Sequence, residues 1–179
     1  MSWLNWIEIF LWYPCNQKCS FCFQKDLRYK KPKFLDYDKV ISIIDSWISE
    51  WKNSIIFSWW ESTMDKNILK YVSYSKLLWF KDIRIHTNWL LFSDNNKLLE
   101  YYNNWITWII ISVHWYSKIH DYLVWLDWAF EKLKLSFSNI SELIKTDRNF
   151  VLDTNTVLTR YNYNSIHILF KFLSYFPIT

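Results

Sequence analysis

The stretch Ile7-Glu8-Ile9-Phe10-Leu11 is a short apolar run that leads through Pro14 into a loop. That loop contains every cysteine of the chain: Cys15, Cys19 and Cys22. An apolar run of this length predicts a β-strand, so the cysteines are expected just beyond the C-terminal end of a strand. Three thiols at spacings of four and three residues indicate a single site.

Short apolar runs alternate with amphipathic segments along the rest of the chain. Their lengths and periods predict strands at 7–11, 54–58, 82–86, 109–113 and 150–158 and helices at 35–50, 66–78, 95–102, 128–145 and 165–175. Asp36 or Asp38 is predicted to cap the first helix. Residues 114–127 are predicted to be a long connection.

Five strands that alternate with helices favour an α/β fold with a parallel sheet, open or partly closed like a barrel. The 179 residues fit one domain, 1–179. The chain stops at Pro177-Ile178-Thr179, where a sixth strand would begin, so we expect the domain to be incomplete at its C-terminus. Because ligands of such folds bind at the C-terminal ends of the strands, the motifs that follow successive strands are expected to converge there.

Composition narrows the class of protein. The net charge of +4 is mild, and the short basic cluster at Lys30, Lys31 and Lys33 is typical of a solvated loop, so no nucleic acid is expected as a partner. No apolar run is long enough to cross a bilayer, and the N-terminus does not resemble a signal peptide. An odd number of cysteines packed into eight residues is unlike a secreted disulfide framework. We therefore expect a cytoplasmic protein that does not bind membranes.

The sequence has no glycine and fourteen tryptophans, whereas average usage predicts about a dozen glycines. Several tryptophans stand where glycine is physically favoured. Trp79 and Trp105 each follow a helical segment, at the place of a left-handed C-terminal cap, and Asn88-Trp89 resembles the turn dipeptide Asn-Gly. In some bacterial lineages UGA is decoded as glycine. Our hypothesis is that most or all of the fourteen are glycines in the living protein, and UGG codons at Trp59, Trp60 and Trp89 would refute it.

The cysteine loop suggests metal chemistry. Cysteine thiolates are the usual ligands of iron–sulfur clusters, and three of them hold three corners of a cubane while the fourth iron keeps an open position. Two alternatives remain: a zinc site that borrows His86 or His114, or three buried cysteines without a ligand. The chain shows no hydrolase triad order, phosphate-binding loop or H-E-x-x-H pattern.

The spacing C-x-x-x-C-x-x-C, with Phe21 before the last cysteine, resembles the signature of the radical S-adenosylmethionine (SAM) enzymes. Read with glycine for tryptophan, Ser58-Trp59-Trp60-Glu61 resembles the family's S-G-G-E motif, and Thr87-Asn88-Trp89 becomes T-N-G. Later segments, His120-Asp121 and Asn155-Thr156-Val157, resemble members that modify peptides or build cofactors.

The resemblance implies a partial (β/α)6 TIM-like barrel, truncated near the start of the sixth strand, that binds a [4Fe-4S] cluster and S-adenosyl-L-methionine. Cys15, Cys19 and Cys22 would ligate the cluster, and SAM would chelate its open iron. Reductive cleavage of SAM would then give methionine and a 5′-deoxyadenosyl radical that abstracts hydrogen from substrate. The rival class is a non-catalytic iron–sulfur electron carrier or a zinc-binding module.

The resemblance also implies a set of cofactor contacts. Phe21 would pack near the adenine, and Ser112 and Asn155 would approach SAM from the fourth and fifth strands. The remaining contacts lie in the loops after the second and third strands: Trp59, Trp60, Glu61 and Asn88. The backbone at 59 and 60 and the Glu61 carboxylate would hold the methionine amino group, which requires glycine at both positions.

No catalytic residue beyond the cluster is assigned from the sequence. His86 is interpreted as structural or surface-exposed, and His114 either as structural or as a contact to SAM or substrate. Leu123 and Val124 stand where related peptide-modifying enzymes often have an arginine. The implied partners are a small-molecule or peptide substrate and a low-potential electron donor such as a flavodoxin or ferredoxin.

Overall fold

The computed structural model describes residues 5–11, 14–23, 25–26, 34–48 and 52–179. Within these ranges five strands form one parallel sheet in the order β1-β2-β3-β4-β5. The strands are β1 Trp6–Phe10, β2 Ser54–Ser58, β3 Asp82–Thr87, β4 Trp108–Ser112 and β5 Val151–Asn155. The basic cluster at 30–33 lies outside the described residues.

Helices follow the strands as predicted. They are α1 Tyr37–Ile48, α2 Ile68–Leu77, α3 Asn95–Asn103, α4 Lys118–Val124, α5 Ala129–Thr146 and α6 Ile166–Leu173, with 3-10 turns at Ser62–Met64, Leu90–Ser93 and Tyr163–Ser165. None of the helices in the described ranges is long and apolar enough to cross a membrane. The five parallel strands confirm the predicted α/β class and are consistent with a partial TIM-like barrel.

Two secondary-structure predictions were wrong: the connection 114–127 and the end of the fifth strand. The connection 114–127 contains α4, which is only seven residues long and therefore too short to show a helical period in the sequence. The fifth strand ends at Asn155 rather than 158, because the next residues turn back toward β4. There the Thr156 hydroxyl donates to the carbonyl of Val113 at 2.7 Å, and the backbone N–H of Val157 donates to the His114 ring at 3.3 Å.

The strand order determines which face of the sheet is packed. Strands that follow one another in sequence, joined by right-handed crossovers, place all their helices on the same side. The alternation along β3 shows this, because Ile83 and Ile85 are buried while Arg84 and His86 are only partly buried. The second face is the lumenal face of the partial barrel. Its polar members are Glu8, Ser54, Ser58, Asp82, Arg84, His86, Ser112, Asp153 and Asn155.

The chain returns to the sheet at its last residue. The backbone N–H of Thr179 donates to the carbonyl of Leu152 on β5 at 3.0 Å. Thr179 therefore lies beside β5, on the side of that strand that faces away from β4.

Left-handed backbone in this protein is concentrated at tryptophan. Of the eleven tryptophans in the described ranges, seven have positive φ, and Ser117 is the one other described residue that does. The seven are Trp59, Trp60, Trp79, Trp89, Trp105, Trp125 and Trp128. A bulky side chain at positive φ is a rare and costly conformation, whereas glycine adopts it freely. The distribution is what the glycine hypothesis predicts.

Two of these residues occupy a well-defined capping motif. At the end of α2, Trp79 donates to the carbonyl of Lys76 at 3.0 Å and Phe80 donates to that of Ser75 at 3.1 Å. This is the Schellman pair of hydrogen bonds, whose left-handed residue is usually glycine. Trp105 holds the same place after α3, with φ of 78°. The predicted left-handed caps are confirmed at both helices.

We expect Trp79→Gly to raise the free energy of unfolding by about 1 kcal/mol, because a left-handed conformation costs a residue with a Cβ about 1–2 kcal/mol. The indole of Trp79 is 87% exposed, so little packing is lost. Trp79→Ala keeps the Cβ and is expected to give no gain, and Trp47→Gly inside α1 should destabilise. Urea denaturation of the three variants measures this, and a Trp79→Gly protein less stable than its parent would contradict it.

Candidate functional site

The cysteine loop is held by main-chain hydrogen bonds to elements far away in sequence. Lys18 donates its N–H to the carbonyl of Val124 at 3.2 Å, and Ser20 donates to Leu123 at 2.8 Å. Both acceptors lie at the C-terminal end of α4, so this unpredicted helix supports the loop from one side. The residues at the place of the family's arginine therefore contribute backbone carbonyls.

The loop after β2 joins the cysteine loop from the other side. The N–H of Glu61 donates to the carbonyl of Pro14 at 3.3 Å, directly before Cys15. The Glu61 side chain is 1% exposed. Its Oε1 accepts from the Thr87 hydroxyl at 2.7 Å, and its Oε2 accepts from the N–H of Asn88 at 2.6 Å. The carboxylate thus fastens the loop after β2 to the loop after β3.

Burial changes the ionisation of that carboxylate. Desolvation raises the pKa of Glu61, and the hydrogen bonds from Thr63, Asn88 and Thr87 act in the opposite direction. No cation among the described residues contributes to this pKa. A buried carboxylate in such surroundings favours a positively charged ligand close by.

Asn88 links the third loop to the cysteines. Its Nδ2 donates to the side-chain oxygen of Asn16 at 2.6 Å and lies 3.9 Å from the sulfur of Cys15. The three loops that follow β1, β2 and β3 therefore meet at the C-terminal edge of the sheet. Their predicted convergence is present in the structure.

The three cysteines are partly buried, and none of them is in a disulfide. Cys15 and Cys19 both approach Gln17, whose N–H lies 3.4 Å from the first sulfur and whose side-chain oxygen lies 3.6 Å from the second. Among the described residues, no three His, Cys, Asp or Glu side chains are close enough together to hold a single metal ion. Three thiolates in one loop are a donor set that suits an iron–sulfur cluster, whose metal-binding corners are distributed over several irons.

The tryptophans at 59 and 60 decide whether SAM fits beside the loop. Trp59 has φ of 83° and its ring packs on Phe10, with centroids 4.2 Å apart, and on Phe23, at 6.2 Å. The indole thereby packs against the last residue of β1 and against the residue that follows Cys22. Glycine at this position would remove the indole and leave the backbone open. The glycine form, in which the tryptophans with positive φ are glycines, would have the open backbone that the predicted SAM contacts require.

Phe21, which is partly buried in the cysteine loop, contacts one of two buried histidines. Phe21 meets His114 edge-on at 4.4 Å, and His114 stacks with His120 at 6.3 Å. Burial lowers the pKa of His114 to about 3 and that of His120 to about 4. Neither ring nitrogen of His120 has a hydrogen-bond partner among the described residues. Both rings are neutral at physiological pH.

Lowering the pH from 7 to 5 is expected to destabilise the protein without its cofactors. In the unfolded chain His120 titrates near 6.5, and in the folded chain near 4. The unfolded state therefore binds more protons in this window, and stability falls as pH falls, by up to about 1.4 kcal/mol per pH unit. Urea denaturation at both pH values should show a smaller loss for His120→Gln. The exposed His167→Gln is the control, and equal losses in the His120→Gln and parent proteins would refute the assignment.

Ser112 and Asn155 lie on the lumenal face at the ends of β4 and β5, where they pair in register. The nearest polar side chain on β3 is His86, whose Nε2 lies 3.0 Å from the Ser112 hydroxyl. Burial lowers the pKa of His86, although Glu8 acts in the opposite direction. His86 is therefore a lumenal residue, not a surface one. Its alternation with Ile83 and Ile85 in the sequence could have revealed this.

A surface cavity of about 740 Å³ lies between α4 and the start of α5. Its lining includes Trp125 and Trp128, which both have positive φ and are mostly exposed. Because these two indoles would be absent in the glycine form, the cavity is not a candidate site.

Comparison with known proteins agrees with this geometry. The sequence profile of the Radical SAM superfamily matches residues 11–173, from the end of β1 to the end of α6. The chain belongs to the radical SAM superfamily. Members of this superfamily are enzymes. No curated protein matches the sequence.

Solved structures share the fold of this radical SAM chain. Native anSMEcpe with bound AdoMet, which is SAM, aligns at a TM-score of 0.71 and 16% identity, covering 95% of this chain and 48% of its own. The same protein with AdoMet and the Kp18Cys peptide aligns at 0.70, with 16% identity and coverage of 95% and 48%. BtrN in complex with AdoMet and 2-DOIA aligns at 0.52 and 20% identity, over 62% of this chain and 46% of its own. The chain thus spans about half the length of anSMEcpe.

Proposed function

We propose that this protein uses a [4Fe-4S] cluster to cleave S-adenosylmethionine reductively and so initiates radical chemistry on a substrate. The observation that carries the proposal is the junction of three loops at one edge of the sheet. The Asn88 amide there reaches both Asn16 and the sulfur of Cys15. Superfamily membership and the AdoMet-bound structures of similar fold support it.

Cys15, Cys19 and Cys22 are the proposed cluster ligands. A cluster held by these thiolates would supply the single electron for reductive cleavage of the SAM sulfonium, and SAM would supply the group that abstracts hydrogen from substrate. The protein's task is to bind and orient SAM and to exclude water. The hydrogen bonds from α4 to Lys18 and Ser20 fix the loop that carries the thiols.

The proposed SAM contacts lie at the same C-terminal edge of the sheet. The backbone at 59 and 60 and the carboxylate of Glu61 are the proposed contacts of the methionine amino group, because a buried carboxylate favours a cation close by. Phe21 is the proposed neighbour of the adenine. Ser112 and Asn155 are the proposed contacts from the lumenal face, and Asn88 joins the cluster loop to the site.

The substrate we propose is a peptide or a small molecule bound on the lumenal face, and the electron donor a flavodoxin or ferredoxin. The Kp18Cys peptide in one structure of similar fold supports a peptide. A reducing cytoplasm suits three cysteines outside any disulfide.

Anaerobic reconstitution of the glycine form with iron and sulfide tests the proposal. With dithionite and SAM we expect 5′-deoxyadenosine and methionine in equal amounts, measured by liquid chromatography. Zinc binding without a cluster, or a cluster whose spectrum SAM leaves unchanged, would reject the proposal and favour a zinc module or an electron carrier.

A further inference from the structure

The lumenal face carries a side-chain contact that the proposed function leaves unexplained. His86 on β3 places its Nε2 3.0 Å from the Ser112 hydroxyl on β4. Asn155 on β5 brings its amide nitrogen to 3.5 Å from the same ring nitrogen, a long contact. Three neighbouring strands therefore contribute one polar side chain each to the same place.

The register explains why the contact forms. Within the parallel sheet His86 pairs with Ile110, and Ser112 lies two residues further along β4, on the same face. Ser112 pairs in turn with Asn155 on β5. The His86 side chain therefore lies on the same face as Ser112 and Asn155, two residues closer to the N-terminal end of the parallel sheet, and its ring contacts both of them.

We propose that His86 is a positioning residue for SAM, which acts by holding the Ser112 and Asn155 side chains in their binding orientation. The inference rests on the proposed function, in which those two residues contact SAM. Short polar side chains at the rim of a sheet otherwise rotate freely, and ordering them on binding costs affinity. A ring that orders them beforehand removes part of that cost.

The chemistry of the ring suits this role. Because burial lowers the pKa of His86, the ring is neutral at physiological pH and does not repel a sulfonium cation. In the neutral tautomer that carries its proton on Nδ1, Nε2 is an acceptor, and it can accept from the Ser112 hydroxyl and, over the longer distance, from the Asn155 amide. The carboxylate of Glu8 on β1 acts against this effect, because its negative charge raises the pKa of the ring.

A purely structural role explains the contact poorly. His86 lies on the lumenal face, away from the apolar side that packs against the helices, and Asn155 is exposed. Holding an exposed amide adds little to folding stability. The contact therefore orders side chains of the lumenal face, which do not pack in the apolar core.

Calorimetric titration of SAM into the cluster-loaded glycine form tests the proposal, and thermal unfolding of each cofactor-free variant separates binding from stability. We expect His86→Ala to weaken SAM binding about tenfold, while His86→Gln, whose amide reaches the place of Nε2, stays within about threefold of the parent. His86→Leu fills the volume without a polar atom and should bind as weakly as His86→Ala. The exposed His167→Gln is the matched control.

A double-mutant cycle gives a second readout. If His86 acts in part through Ser112, the loss of SAM affinity in the variant that combines His86→Ala with Ser112→Ala should be smaller than the sum of the losses in the two single variants. Parent-like affinity in both His86→Ala and His86→Leu, or fully additive losses in the cycle, would overturn the inference and leave the proposed function standing. A parent protein that holds a cluster but does not bind SAM would remove the proposed function and this inference with it.

Discussion

Trp59→Gly combined with Trp60→Gly is expected to convert a protein that does not measurably bind SAM into one that does, a gain of about 100-fold or more in affinity. Trp59 has φ of 83° and Trp60 has φ of 20°. The ring of Trp59 lies 4.2 Å from that of Phe10, the last residue of β1. Glycine removes the indoles, relieves the left-handed backbone and opens the main chain to the ligand. Calorimetry on the cluster-loaded protein measures the gain.

The control must change the same residue types away from the site. Trp79→Gly with Trp105→Gly removes two indoles from left-handed helix caps, and it should raise stability without changing SAM affinity. SAM binding by the tryptophan form as tight as by the glycine form would contradict the prediction. Gene sequencing gives an independent answer, because UGG codons at 59 and 60 would exclude the glycine hypothesis there.

In the glycine form, replacement of any one of Cys15, Cys19 and Cys22 by alanine is expected to abolish SAM cleavage, with a loss of about 100-fold or more. Each thiolate is proposed to hold one iron of the cubane, and a cluster deprived of a protein ligand is lost or degraded. Iron analysis after anaerobic reconstitution and the visible absorption of the cluster measure the binding. The yield of 5′-deoxyadenosine measures the reaction.

Ser20→Ala is the matched control for these variants. Ser20 lies in the same loop, its side chain is exposed, and its contact with Leu123 is made by the backbone N–H. Its iron content and SAM cleavage should equal those of the parent. Full activity in a single cysteine variant would exclude that cysteine as a ligand.

Several parts of the site could be predicted because they depend on local sequence. The three cysteines form one loop whatever the rest of the chain does. Capping by a left-handed residue is a local property too, and the predicted caps at Trp79 and Trp105 are found with φ of 67° and 78°. The bounds of β2 agree with the prediction, since a fully buried strand is an unbroken apolar run.

Other parts depended on contacts that no local pattern encodes. Helix α4 has only seven residues, and its carbonyls at Leu123 and Val124 support a loop a hundred residues earlier in the chain. The sequence predicts a structural or surface-exposed His86, because alternation along a strand shows which side chains share a face but not which residues of other strands lie beside them. Its contact with Ser112 exists only because β3 and β4 pair in one particular register.

The sequence by itself determined the α/β class, the cysteine loop and the left-handed caps after α2 and α3, because periodicity, spacing and backbone conformation are set by residues near one another. Only the tertiary structure decided that Glu61 fastens two loops together and that Asn88 reaches Cys15, 73 residues away. It also brought the ring of His86 within hydrogen-bond distance of the Ser112 hydroxyl. The physical reason is that a parallel sheet joins strands distant in sequence, so the partners of a side chain at its edge depend on strand order and register, which local sequence does not specify.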